Sequence, residues 1–360
     1  MKLTDVFAVL LKKFKIKQIF GLQGGAVVHF FDSLERKKIN VTYTNHEQSA
    51  ALAGVSYAKA TQNIGCVIVT TGPGSTNAIS GLLAAWQDSV PCLFISGQSR
   101  SNHVSYGKKV RQVGTQEVNI CDVVKPITKY TKFVKRKENF VDEVLKAIEI
   151  AISGRPGPVW LDIPLEIQWS DIKFRKIKIN LKKKLVKKNK NLSTFNKSLK
   201  LLKKAKKPLL ILGFGVRTSL KNLSNLKKLI FKNKIPFVTT WNGADLFSTN
   251  DQYNLGILGM SGQRGANKAV FESDLLICLG THLSIPHTTT LYKNYAPNSK
   301  KIIVNIDNNQ LKNLNVKFDL KINDDVKNFV NWLINKNIST YKWSNLEELK
   351  KMNWYLQKKT

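Results

Sequence analysis

The 360-residue sequence predicts an α/β protein built from two doubly wound parallel-sheet domains. Short apolar runs such as Cys66-Val67-Ile68-Val69 and Cys92-Leu93-Phe94-Ile95 lack polar alternation, as strands buried on both faces require. Segments of helical periodicity separate these runs, joined by short Gly- or Pro-bearing connections. The alternation halts in a lysine-rich stretch and then resumes, which divides the chain in two.

The first domain is read as residues 1–168. Thr4 caps an amphipathic helix running to about Phe14, and Gln18-Ile19-Phe20-Gly21-Leu22 follows as a strand. Gly24-Gly25 breaks the chain before a helix through Leu34. Val41 to Thr44 is a strand, Glu47 to Ala60 a helix rich in small residues, and 66–69 a buried strand. Gly74 to Trp86 is helical, 92–95 is a second buried strand, and helix 139–153 precedes a last strand, Pro158 to Pro164. Right-handed βαβ crossovers place helices on both faces of such a sheet, and ligands bind beyond the carboxyl ends of its strands.

Residues 169–193 read as a Lys-rich linker, and the second domain spans 194–325. It opens with a helix near 194 and the strand Pro208 to Gly213, followed by strands near 236–239, 274–279 and 301–306. Residues 326–360 carry Trp332, Trp343 and Trp354 without further strand signal and read as a C-terminal tail.

Composition narrows the function classes. No apolar run approaches the roughly 20 residues of a membrane span, and the N-terminus has no signal-peptide core, so a cytoplasmic protein is expected. Lysine dominates the net charge of +34, spread over helix faces and concentrated between about 173 and 207, and aromatic residues are not interleaved with these lysines. A stacking platform for nucleic acid needs that interleaving, so the charge reads as solvated surface with no nucleic-acid partner. Cys66, Cys92, Cys121 and Cys278 lie far apart and form neither a metal spacing nor a disulfide framework. His29, His103, His282 and His287 show no ligand spacing, and no metal is assigned to them.

Gly72-Pro73-Gly74, between a strand and a helix, offers exposed amides and a helix N-terminus that favours negative charge, although any βα unit needs such a turn. Gly213-Phe214-Gly215 matches a dinucleotide fingerprint only in part, because the third glycine and the ribose-binding acid are missing. Glu47 stands where a strand hands over to a helix. Its carboxyl is either a partly desolvated proton-exchange group or an ordinary glutamate favoured by the helix dipole. His46 reads as a capping or packing residue.

The ordered set Gly24-Gly25, His46-Glu47-Gln48, Thr71-Gly72-Pro73-Gly74 with Asn77, Asp88-Ser89-Val90-Pro91, Gly97-Gln98, Gln116-Glu117, Ile127-Thr128-Lys129 and Ser153-Gly154-Arg155-Pro156-Gly157-Pro158 resembles the pyrimidine-binding domain of thiamine-diphosphate enzymes. The group it is most similar to is the acetolactate synthase large subunits. Leu258-Gly259-Met260, Gly262, Ala266-Asn267 and Ser273-Asp274-Leu275 resemble that family's Rossmann-like central domain. The resemblance implies 2-keto acid decarboxylation and carboligation in branched-chain amino acid biosynthesis. Glu47 would hydrogen-bond the aminopyrimidine ring, so that the exocyclic nitrogen can take the thiazolium C2 proton. Gly24, Gly25, Pro73, Gly74, Asn77 and Gln98 would line the cofactor, and Thr115, Gln116 and Lys129 the substrate channel.

Three departures accompany the match. Gln23 replaces the family's proline before the double glycine, and Thr115 replaces its phenylalanine before Gln116. Gly280-Thr281-His282-Leu283 stands where acetolactate synthases place an arginine against FAD, which leaves FAD open. Gly157 to Pro164 also resembles acetolactate-synthase-like proteins of surface-sugar pathways with other substrates. The family's Gly-Asp-Gly…Asn-Asn motif, which holds Mg²⁺ and the diphosphate on a third domain, does not occur. The expectation is the N-terminal portion of such an enzyme, either one piece of a split enzyme or a truncated product, inactive alone and homo-oligomeric, with a separate polypeptide implied that supplies the diphosphate-binding domain. The alternative is a non-catalytic assembly or regulatory subunit that retains the fold.

Overall fold

A computed structural model describes residues 1–172, 191–290 and 292–354. The greater part of the expected linker, residues 173–190, lies outside the described residues, as do residues 355–360 of the expected tail. The described residues form two compact units, one on either side of 173–190.

The first unit holds β1 (Gln18–Gly21), β2 (Asn40–Tyr43), β3 (Gly65–Val69), β4 (Cys92–Gln98), β5 (Tyr130–Phe133) and β6 (Val159–Pro164). They form one sheet in the order β2-β1-β3-β4-β6-β5, every pairing parallel. Every residue of β3, β4 and β6 is buried, as central strands covered on both faces must be. Phe7, Phe30 and Phe140 pack together on one face, and Phe94 stacks on Trp160 at 5.2 Å between ring centroids. Burying each such ring stabilises the fold by about 1.5–3 kcal/mol relative to exposure.

The second unit repeats the plan with β7 (Pro208–Leu212), β8 (Phe237–Thr239), β9 (Asn254–Ile257), β10 (Leu275–Leu279), β11 (Lys300–Asn305) and β12 (Leu320–Asn323). Its order is β12-β11-β10-β7-β8-β9, again all parallel, with a separate apolar core on each face. Residues 326–333 and 346–354 are helices built into these cores through Phe329, Val330 and Leu349. The second of these helices presses on helix Arg264–Glu272, where a Cβ at Gly265 would stand 1.9 Å from the Leu349 carbonyl oxygen.

Several local expectations need correction. Thr4 does not cap the first helix, which begins at Leu3 with Lys2 in the cap position; the Thr4 hydroxyl is buried against Ser33 Oγ at 2.7 Å. The helix expected over 74–86 is two pieces, Pro73–Asn77 and Ile79–Gln87, divided at Ala78. Strands β5, β9 and β12 were not expected, and all three are sheet edges whose partial exposure gives them no continuous apolar run. Among the described residues no helix is long and apolar enough to cross a membrane.

Candidate functional site

The candidate residues gather where parallel strands β1, β2, β3 and β4 end. Helix Glu47–Thr61 reaches this edge because its inner face is small: a Cβ at Gly54 would stand 2.5 Å from Val67 Cγ2 on β3. His46 is its N-cap, and the His46 Nδ1 atom accepts a hydrogen bond from Gln48 N at 3.1 Å. The imidazole therefore replaces a missing helix bond. Glu47, the next residue, turns inward and is 7% exposed.

Asn77 Nδ2 donates to Glu47 Oε2 at 3.0 Å. The other oxygen faces Gly74, where a Cβ would stand 3.1 Å from Glu47 Oε1 and 2.5 Å from Thr70 Cγ2. Thr70 is also met by Gly24, whose Cβ would stand 2.6 Å from Thr70 Cβ, and Thr70 Oγ1 accepts from Ala26 N at 3.4 Å. Gly24 and Gly74 thus close on one threonine from two sides and bring the ends of β1 and β3 together. A Cβ at Gly25 would meet nothing within 4 Å, and the residue is exposed. At Gly72 the backbone takes φ +61°, and a Cβ would stand 2.1 Å from the Gln116 carbonyl oxygen, so only glycine fits.

Pro73 is exposed at the start of a helix of only five residues. The macrodipole expected to favour anions at Gly72-Pro73-Gly74 therefore has almost no length behind it. Thr115 and Gln116 are exposed beside Gly72 on loop 99–119. Gln98 ends β4 fully buried, accepting from Thr71 Oγ1 at 2.8 Å and from Ser99 N at 2.9 Å. Its side chain holds the turn from behind.

Lys129 is not brought to this edge. It precedes β5, at the amino ends of the strands, and its ammonium group donates to the Ser153 carbonyl at 2.6 Å and to the carbonyl of Ile150. These are carbonyls at the end of helix Phe140–Ile152, so Lys129 acts as a C-cap cation. Burial pulls its pKa down to about 8.

Sequence reading passed over the polar residues behind the edge. Asp162 on β6 is fully buried and accepts from Ser96 Oγ at 2.6 Å, Gln98 Nε2 at 3.0 Å and Tyr106 Oη at 2.9 Å. Gln168, also fully buried, donates to the Ala26 carbonyl at 2.7 Å and so braces the Gly24-Gly25 turn. The available signal was a lone acid inside the apolar strand Val159 to Pro164.

The cysteines are free and buried, and burial pushes the thiols of Cys92 and Cys121 up to about 12. Among the described residues no three His, Cys, Asp or Glu side chains cluster as a metal site. In the second unit, Gly215 N donates to the Gly280 carbonyl at 2.9 Å, and a Cβ at Gly215 would stand 2.7 Å from Gly280 Cα. Gly213 and Gly215 therefore serve a backbone crossing between β7 and β10, where the strand order reverses. The following turn places Thr281 and Leu283 inward, and burial lowers the His287 pKa to about 4. Residues 280–283 are Gly-Thr-His-Leu and supply no arginine for a flavin pyrophosphate.

Comparison with known proteins agrees with the layout. Residues 1–123 match the family described as "Thiamine pyrophosphate enzyme, N-terminal TPP binding domain", and residues 195–333 match "Thiamine pyrophosphate enzyme, central domain". The acetolactate synthase large subunit of Haemophilus influenzae is 34% identical over 319 residues, covering 87% of this chain and 54% of that protein. That of Buchnera aphidicola subsp. Schizaphis graminum is 33% identical over 350 residues, 94% of this chain and 59% of its own length. The isozyme 2 large subunit of Escherichia coli is 31% identical over 299 residues, 83% of this chain and 53% of its own. The chain thus spans little more than half the length of these relatives.

Proposed function

The chain belongs to the thiamine pyrophosphate enzymes, and on that premise we propose that it forms the pyrimidine side of an acetolactate-synthase-like active site acting on 2-keto acids. The observation that carries the reading is Glu47, a buried carboxylate with one oxygen fixed by Asn77 and the other turned to a glycine. When bound, thiamine diphosphate supplies a nucleophilic carbon able to take and release the acyl group of a keto acid. The residues fit such a group: Gly25 leaves backbone exposed, the bare Cα of Gly74 keeps side-chain atoms off Glu47 Oε1, Pro73 borders the turn, and Gly72 admits no side chain between the turn and Gln116.

In this reading Glu47 holds or releases a proton at Oε1 while Asn77 fixes Oε2, so that the carboxyl has one free direction. A charge-assisted hydrogen bond there contributes roughly 1.5–3 kcal/mol and more where it strengthens during reaction. Gln98 acts through Thr71, holding the turn, and Thr115 and Gln116 face the substrate. Mg²⁺ and the diphosphate would be held by a further domain in an oligomeric assembly, because a hard cation needs oxygen ligands that the described residues do not gather.

The test is thiamine diphosphate titration with Mg²⁺, followed by 2-keto acid turnover. It is run on the chain alone and with a polypeptide bearing the diphosphate-binding domain of an acetolactate synthase large subunit. Turnover is expected only in the mixture, and Glu47→Gln should lower it about 10³-fold with the fold intact. Wild-type turnover by that variant removes Glu47 from the chemistry. Absence of cofactor binding in both samples favours an assembly subunit.

A further inference from the structure

Strand β6 carries within it a buried carboxylate, Asp162, that the proposed chemistry does not use. Asp162 is tied by two routes to the two sides of one turn. On one route Gln98 Nε2 donates to Asp162 Oδ2 at 3.0 Å, and Gln98 Oε1 accepts from Thr71, the residue before Gly72. On the other, Tyr106 Oη donates to the same oxygen at 2.9 Å, and Tyr106 stands on loop 99–119, whose Gln116 carbonyl closes over Gly72. The loop's remaining acid anchors are different in kind. Glu117 Oε1 accepts from Ser105 N at 3.0 Å and Val113 N at 3.1 Å within the loop, and Glu166 Oε1 accepts from Ser101 N at 2.9 Å at its root.

We infer that Asp162 is a positioning residue: it fixes turn 71–74 through Gln98 and loop 99–119 through Tyr106, and so sets the gap between Glu47 and Thr115–Gln116. The thiamine-diphosphate reading enters only as what that gap serves. Around Asp162 stand Ser96 and Gln98 of β4, Tyr106 and Glu117 of the loop, and Cys121 of helix Ile120–Val124, with Asp122 and Lys132 beyond Cys121. Burial raises the carboxyl and Glu117 adds to it; the bonds from Ser96, Gln98 and Tyr106 oppose them, and the balance is a pKa pushed up to about 7. Opening the loop returns the group to water and to its ordinary range near 4. Linkage then makes opening more favourable as pH rises from about 4 to 7, and independent of pH above that. A purely packed anchor has no such profile.

The test is hydrogen–deuterium exchange of residues 101–118 in the full chain without cofactor, each rate divided by that of the free peptide at the same pH. Wild type should exchange about 50-fold faster, after this correction, at pH 7 than at pH 5. Asp162→Asn, neutral at every pH, should stay flat. Tyr106→Phe should exchange about tenfold faster than wild type at pH 5. A flat wild-type profile, or Tyr106→Phe matching wild type, overturns the inference; these two arms decide it even if Asp162→Asn does not fold. Because no cofactor is present, failure of the chain to bind thiamine diphosphate leaves this result standing.

Discussion

The carboxyl edges of the two sheets are built alike and leave different chemistry behind. Both put glycines where strands hand over to helices. In the first unit, Gly24 and Gly74 press on Thr70, and Gly74 leaves room beside Glu47, so the glycines frame a buried acid. In the second, Gly213 and Gly215 press on Gly280 itself, backbone against backbone, with no acid between them. The same residue type opens a site in one place and closes a crossing in the other. What decides is the neighbour: a side chain that can carry charge, or another glycine.

Glu47→Gln breaks the comparison on its chemical side and carries the largest expected effect, about 10³-fold in turnover of the completed enzyme, or about 4 kcal/mol. Its unfolding midpoint in urea should stay close to wild type. Gly215→Ala probes the other edge. The added Cβ would meet Gly280 Cα at 2.7 Å, a backbone contact with little room to give, and should cost about 3 kcal/mol in urea unfolding. Thiamine diphosphate affinity should survive that change. Loss of affinity in Gly215→Ala with full stability would erase the distinction between the edges.

The fold was legible where burial is complete. Strands β3 and β7 are apolar throughout and β4 over Cys92 to Ile95, and their composition alone gives them away. Edge strands β5, β9 and β12 escaped because half their side chains face solvent or loops, so no period stands out. Glu47 was legible as an acid at a strand end, but its inward turn depends on Asn77, thirty positions away, and on the bare Cα of Gly74. Lys129 was assigned by its place in a motif, and tertiary structure put it at the opposite edge, capping a helix. Asp162, Gln98 and Tyr106 converge only when β4 and β6 pair in register, Ser96 against Asp162 and Gln98 against Pro164. Linear spacing cannot display that.

Asp162 sharpens the comparison through pH, since the second edge holds no corresponding buried acid among the residues described above. Its folded pKa, near 7, lies above the unfolded value near 4, so the folded state binds the extra proton between those limits. Stability from this group is present at low pH and is lost as pH rises from about 4 to 7, with a slope of up to ~1.4 kcal/mol per pH unit. Urea unfolding of wild type and Asp162→Asn at pH 5 and 7 should show the gap between them moving in favour of the asparagine variant. A gap that does not move would mean Asp162 keeps its charge in the folded chain, and the three donors then outweigh burial.

The smallest effect belongs to His46, which lies beside Glu47 and has only a local role. Its Nδ1 caps helix Glu47–Thr61 by accepting from Gln48 N. Replacing it with alanine removes a solvent-exposed cap, expected to cost about 1 kcal/mol. His46→Asn, which can restore an acceptor at the same position, should recover most of the loss in thermal unfolding. Turnover should follow stability in all three proteins. If His46→Asn regains stability and still loses turnover, the imidazole does more than hold the helix end, and its role next to Glu47 at the reactive edge is chemical.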